Sequence, residues 1–321
     1  MRRCPDQRCG APTLSCRMGE DALEACPIWN KGAGDVAAGT GVASSTSGMR
    51  LPWSGAALGT AGLAFFAGRA DARLVAMIGP HNAGKTTLLG LFYQHLGRIG
   101  GIGTSRFAGS YSLEGWEAIA HALRWSGNTP RFPPHTSSGA GRIPGLLHMA
   151  LRGQDGRLSD ALFADSPGEW FQRWTIDPSA NDAEGARWVV ERAATLLVVA
   201  DCEALAGKDR GGARNDIIQL LRRVATVRNG RPVALVWTKA DIAVPPLIRA
   251  AVSEAAQLVM PDVVEFHTSV VEGEQGDERL SPIASVAKVL EWLVAPAKRG
   301  FAVPQTPTAS RDPFFVIGEA A

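Results

Sequence analysis

The chain has 321 residues, 45% of them hydrophobic and 20% charged, with a formal net charge of +2. That balance fits a soluble, enzyme-like domain with a large core, and it argues against nucleic acid as a partner because no basic stripe is present. Internal repeats are absent.

Four of the five cysteines, Cys4, Cys9, Cys16 and Cys26, fall in residues 1–30. No apolar run follows Arg2-Arg3, so a secretory signal is not expected, and in a reducing cytosol neither are disulfides. Two readings stand for this cysteine-rich element. It is either a small four-cysteine zinc knuckle or a set of unligated thiols, because its gaps of four, six and nine residues contain no CxxC pair. Residues 31–50 are rich in Gly, Ala, Ser and Thr and read as a flexible linker. Leu51 to Ala67 carries no charge, but it holds Pro52, Gly55, Gly59 and Gly62 and falls short of the roughly 20 apolar residues of a span. An edge hairpin or a surface-packed lead-in is expected there rather than a membrane segment.

Leu74-Val75-Ala76-Met77-Ile78 reads as a buried strand and runs directly into Gly79-Pro80-His81-Asn82-Ala83-Gly84-Lys85-Thr86, a complete GxxxxGK[ST] phosphate loop. The glycines let backbone N–H groups curl around a β-phosphate, Lys85 reaches the β/γ oxygens, and the Thr86 hydroxyl can ligate Mg²⁺. The anion then rests on the N-terminus of the helix begun by Thr87-Leu88-Leu89. Asn82 has two readings. The Asn82-Ala83-Gly84-Lys85 stretch resembles that of potassium-activated GTPases, which implies contact with a monovalent cation such as K⁺ beside the β/γ bridge. The alternative is that Asn82 simply shapes the backbone, since Asn tolerates left-handed geometry.

Residues 98–145 form an insert with its own strand (Arg106 to Ala108) and helix (Glu114 to Leu123). Thr136, in Pro133-Pro134-His135-Thr136-Ser137-Ser138, is the first choice for a third Mg²⁺ ligand, with Thr129 and Thr104 as alternatives. His81, His121, His135 and His148 show no metal-ligand spacing and are expected to be solvated or packed. Leu146 to Leu151 and Leu158 to Ala164, joined through Gln154-Asp155-Gly156, read as an antiparallel hairpin with a DG turn.

The second hairpin strand ends in Asp165-Ser166-Pro167-Gly168, a DxxG element whose carboxylate can organise Mg²⁺ and whose Gly168 N–H can sense a γ-phosphate. Glu169 follows. It either orients the attacking water or sits at a helix N-terminus favoured by the macrodipole. The strand Thr195 to Asp201 comes next, with Cys202 read as a small buried residue. Val233 to Trp237 then leads into Thr238-Lys239-Ala240-Asp241. Asp241 can accept from guanine N1–H and its 2-amino group together, the Lys239 stem can cover the base, and the Thr238 hydroxyl can tether the phosphate loop. A last strand, Val263 to Phe266, ends at His267-Thr268-Ser269-Val270, which resembles in position the loop whose backbone N–H meets guanine O6 in GTPases.

Helical patterns at Asp182 to Ala194, Asn215 to Val227, Pro246 to Met260 and Pro282 to Leu293 supply the crossovers that parallel strands need. The fold class expected is therefore α/β, three layers around a mostly parallel sheet with one antiparallel edge hairpin. Its motifs stand at the carboxyl ends of strands, where such sheets bind ligands. Residues 297–321 read as a tether ending in the apolar run Pro313 to Gly318, which either docks to a partner or packs back on its own domain.

On this ordered set, residues 51–296 resemble a translation-factor-related (TRAFAC-like) P-loop GTPase. Phe107 to Glu117, Leu146 to Leu151, and Asp165 to Phe171 further resemble the bacterial double-GTPase proteins, thought to act in conflict or signalling systems in which two dissimilar GTPases work together. The resemblance implies a cytoplasmic, Mg²⁺-dependent GTP switch, slow without assistance, that reports its GTP or GDP state to a protein partner such as a second GTPase. The rival readings are a P-loop ATPase or kinase with a fortuitous TKxD, and a scaffold that binds GTP without turnover.

Overall fold

The computed structural model describes residues 57–59, 62–63, 70–123, 145–271 and 282–295. The cysteine-rich element, the linker, Thr129, Thr136, His135 and the C-terminal tail lie outside the described residues. So does most of the uncharged lead-in, of which Leu58 is seen to pair with Leu146 (N···O 2.9 and 3.0 Å) and to be buried.

The chain runs β1 (Asp71–Ile78), α1 (Lys85–Ile99), β2 (Gly101–Ile102), β3 (Ser105–Gly109), α2 (Leu113–Ala122), β4 (Gly145–Arg152), β5 (Leu158–Asp165), α3 (Gly168–Ile176), a 3₁₀ turn (Asn181–Ala183) and α4 (Glu184–Arg192). It continues with β6 (Thr195–Asp201), α5 (Cys202–Ala206), α6 (Arg210–Val227), β7 (Val233–Thr238), α7 (Pro246–Val259), β8 (Val264–His267) and α8 (Pro282–Val294). Among the described residues these strands form one eight-stranded sheet ordered β2-β3-β4-β5-β1-β6-β7-β8. Pairing is parallel from β5 to β8 and antiparallel from β2 to β5. The expected hairpin is β4–β5, and β2 and β3 extend the antiparallel side beyond it.

Strands β1, β6 and β7 read as near-continuous apolar runs because both of their faces are covered. Leu74, Ala76, Ile78, Leu196, Val198 and Leu235 pack under α3, α4, α6 and α7, whereas Val75, Met77, Leu197, Ala234 and Val236 pack under α1, α2 and α8. The result is a three-layer α/β fold. The chain leaves β1 towards one face as α1 and leaves β5 towards the other as α3, so a crevice opens between them at the strands' carboxyl ends.

A buried polar network fixes the start of the insert. His148 and Asp160 have side chains 1% and 0% exposed, with Nε2 of the ring 2.9 Å from Oδ1 of the carboxylate. The His148 Nδ1 accepts from the Tyr111 backbone N–H (2.9 Å), so the ring carries its proton on Nε2 and donates it to Asp160. The His148 carbonyl accepts from Ser110 Oγ (2.6 Å) and Trp116 Nε1 (2.7 Å), and its N–H donates to Ser112 Oγ (2.7 Å). His148 is thus a packed, fully engaged histidine that ties residues 110–116 to β4, while His121 is exposed on α2. Among the described residues no helix is long and apolar enough to cross a membrane.

Candidate functional site

The segment after β1 turns through left-handed backbone at Asn82 (φ 59°) and Gly84 (φ 82°) before α1 begins at Lys85. Left-handed turns of this kind can aim backbone N–H groups at an anion, and Gly84 caps a helix whose first turn carries no acidic residue to repel one. Lys85 is 7% exposed, and its Nζ donates to the carbonyls of Gly79 (3.1 Å) and Pro80 (2.8 Å). Burial pulls its pKa down to about 8, against the opposing pull of Asp165 and Glu169.

The Thr86 hydroxyl lies 3.1 and 3.2 Å from the two Asp165 carboxylate oxygens, across the gap between α1 and the end of β5. One hydroxyl and one carboxylate, with phosphate oxygens and waters completing the shell, is a donor set that suits Mg²⁺. Among the described residues no group of three or more His, Cys, Asp or Glu side chains is arranged to hold a metal by itself. Thr104, an alternative third ligand, does not belong here. It is exposed in the β2–β3 turn past the far end of α1, a helix of 15 residues and therefore about 22 Å long.

Gly168 is pressed against the phosphate loop, where a Cβ would overlap the His81 backbone nitrogen and the Pro80 carbonyl carbon. Only glycine allows the DxxG segment this close. Glu169, in the first turn of α3, turns its carboxylate back to the loop, with Oε1 2.8 Å from His81 Nδ1. Ser166, between them and Asp165, is fully buried, and its hydroxyl has no hydrogen-bond partner although the residue lines the cleft.

At the other end of the cleft, Thr238 Oγ1 donates to the Ala83 carbonyl (2.7 Å), tethering the phosphate loop to β7. Ser269 Oγ donates to Asp241 Oδ1 (2.5 Å), which orients the carboxylate. The loop after β8 is held by Thr268 N–H on Trp237 O (2.8 Å) and Ala240 N–H on Thr268 O (3.0 Å). Lys239, itself left-handed (φ 52°), donates to Asp201 Oδ2 (2.8 Å) and Glu203 Oε2 (2.7 Å). Burial lowers its pKa, but the hydrogen bonds and charges of the two carboxylates together outweigh that effect and raise it.

His81 to Thr87, Gly168, Thr238, Lys239, Asp241 and Thr268 to Val270 all line one cleft of about 520 Å³, while Gly79 and Pro80 sit behind it under Lys85. The clasp of Asp201 and Glu203 on Lys239 and the pairing of His81 with Glu169 were not predicted from the sequence. For Asp201 a signal existed, since it ends β6 directly beside Thr238 in the parallel register and caps α5 through Glu203 N–H (2.9 Å).

A family model described as Double-GTPase 2 matches residues 73–293. Among solved structures, the chain is similar to nucleolar GTP-binding protein 1 of Plasmodium falciparum, at 11% identity over 70% of this chain and 87% of that one, with a TM-score of 0.38. It is also similar to Era in complex with MgGDPNP and nucleotides 1506–1542 of 16S ribosomal RNA, at 18% identity over 62% of this chain and 51% of that one, with a TM-score of 0.30. Likenesses as remote as these two assign no activity to this chain. No curated protein matches.

Proposed function

The chain belongs to the Double-GTPase 2 family, and from that premise we propose that this GTP-binding GTPase is an Mg²⁺-dependent molecular switch that signals its nucleotide state to a protein partner. We place it in a bacterial two-GTPase system in the cytoplasm, with a second, dissimilar GTPase as the partner. The observation that supports switching is the seat of Gly168 on the Pro80–His81 backbone. A γ-phosphate arriving at the loop must engage or displace that contact, so the DxxG segment and α3 respond to the third phosphate in a way GDP does not demand. Thr86 and Asp165 would hold the metal, which neutralises charge developing on the transferred phosphoryl group when bound. We also propose a domain layout with residues 51–296 as the GTPase and the flanks as accessory segments. The cysteine element keeps both readings, zinc-binding or unligated.

Unaided turnover is proposed to be slow, because a carboxylate rather than an amide follows the DxxG glycine. Single-turnover hydrolysis of GTP, with the candidate partner absent and present, tests this. If Asn82 recruits a monovalent ion, the rate is severalfold higher in K⁺ than in Na⁺ at equal ionic strength, and Asn82→Ala removes the difference while keeping GDP affinity. Equal rates would assign Asn82 to shaping the left-handed turn it occupies and move the missing positive charge to an arginine from the partner.

A further inference from the structure

We propose that His81 is a positioning residue for hydrolysis, holding the Glu169 carboxylate against the phosphate loop so that it can orient the attacking water. The proposal rests on the GTPase reading and deepens it at the same site. Its origin is a contact that links two elements far apart in sequence: His81 Nδ1, in the phosphate loop, lies 2.8 Å from Glu169 Oε1, in the first turn of α3.

Its setting separates this pair from an ordinary surface ion pair. It stands where the loop and the DxxG segment already touch, with Gly168 packed on the backbone of His81 itself. Its side chains are 44% and 48% exposed, so it contributes little to folding stability and its effect is expected on the reaction instead. And Lys85, buried below, feels the charges of both Asp165 and Glu169.

The pair also answers an electrostatic objection to a glutamate at this position. A bare carboxylate facing a γ-phosphate is repelled and swings away. An imidazole N–H donated to one carboxylate oxygen offsets that repulsion and aims the group, whose remaining lone pairs can then accept from water. In the step itself the water oxygen bonds to the γ-phosphorus, and the bond to the β–γ bridging oxygen breaks with its electron pair staying on GDP. The water's proton leaves on the phosphate, and Glu169 only orients the water.

The test is single-turnover GTP hydrolysis by the full chain with Mg²⁺, in parallel with GDP affinity, for His81→Ala, His81→Asn, Glu169→Ala and the double alanine variant. His81→Ala should slow the chemical step about tenfold or more, in the range that positioned polar groups supply, with GDP affinity nearly unchanged. Because an asparagine amide N–H reproduces the Nδ1–H donor, His81→Asn should recover most of the rate, and the double variant should be no slower than Glu169→Ala alone. A second readout needs no turnover: the ¹⁵N signal of His81 Nδ1 in the nucleotide-free protein should shift in Glu169→Ala. Parent-level hydrolysis in His81→Ala, multiplied losses in the double variant, or a parallel loss of GDP affinity would each overturn the proposal. Absence of hydrolysis in the parent chain with its partner would instead overturn the GTPase turnover reading, and this inference with it.

Discussion

Replacing Asp241 by Asn is expected to weaken GTP binding by roughly 2–4 kcal/mol, about 30- to 900-fold, as the loss of charge-assisted hydrogen bonds does. The geometry says how. Ser269 donates to Asp241 Oδ1, and it can donate equally to an asparagine amide oxygen. The variant's NH₂ then occupies the place of the carboxylate's second acceptor and meets the guanine donors head on. The same NH₂ suits the 2-oxo group of xanthine, so xanthosine nucleotides should bind the variant better than GTP. Titration calorimetry with both nucleotides checks this, and unchanged GTP affinity in Asp241→Asn would remove Asp241 from the base site.

Lys85→Ala is expected to cost at least as much, about 2–5 kcal/mol or more, because it takes a buried ammonium away from a triphosphate that pairs with it. The loss should fall on binding and not on folding. In the free protein burial already holds the Lys85 pKa down at about 8, so the charged side chain is a poorly solvated group whose removal relieves a desolvation cost. Its removal also takes away the hydrogen bonds to the Gly79 and Pro80 carbonyls, so the two effects oppose each other and the melting temperature of the nucleotide-free variant should change little while nucleotide binding falls away. Micromolar or tighter GTP binding in the variant would contradict the phosphate-loop assignment.

The parts of this molecule that could be read from sequence are those where one requirement repeats along a segment. Strands β1, β6 and β7 are buried on both faces, so they advertise themselves as unbroken apolar runs, and α4, α6, α7 and α8 as apolar stripes between them. The motif residues were legible for a related reason, since a backbone that curls around phosphate demands glycine and left-handed positions at fixed spacing. Contacts between elements leave no such trace. His81 and Glu169 meet only because β1 and β5 are neighbours in the sheet, and Lys239 reaches Asp201 and Glu203 only because β7 lies beside β6. Strand β2, two residues long, is too short for any period, and its turn carries Thr104 away from the site that its residue type suggested.

The central claim is that one cleft reads guanine at Asp241 and phosphates at Lys85, and displacement of a fluorescent GDP from the full chain by unlabelled GTP, GDP and ATP tests it most directly. GTP and GDP should displace the probe at micromolar concentration or below. ATP, whose adenine offers neither an N1–H nor a 2-amino group, should need at least about a thousandfold more, as sites built to hydrogen-bond a particular group reject its analogues. Displacement by ATP at the same concentration as GTP would contradict the account.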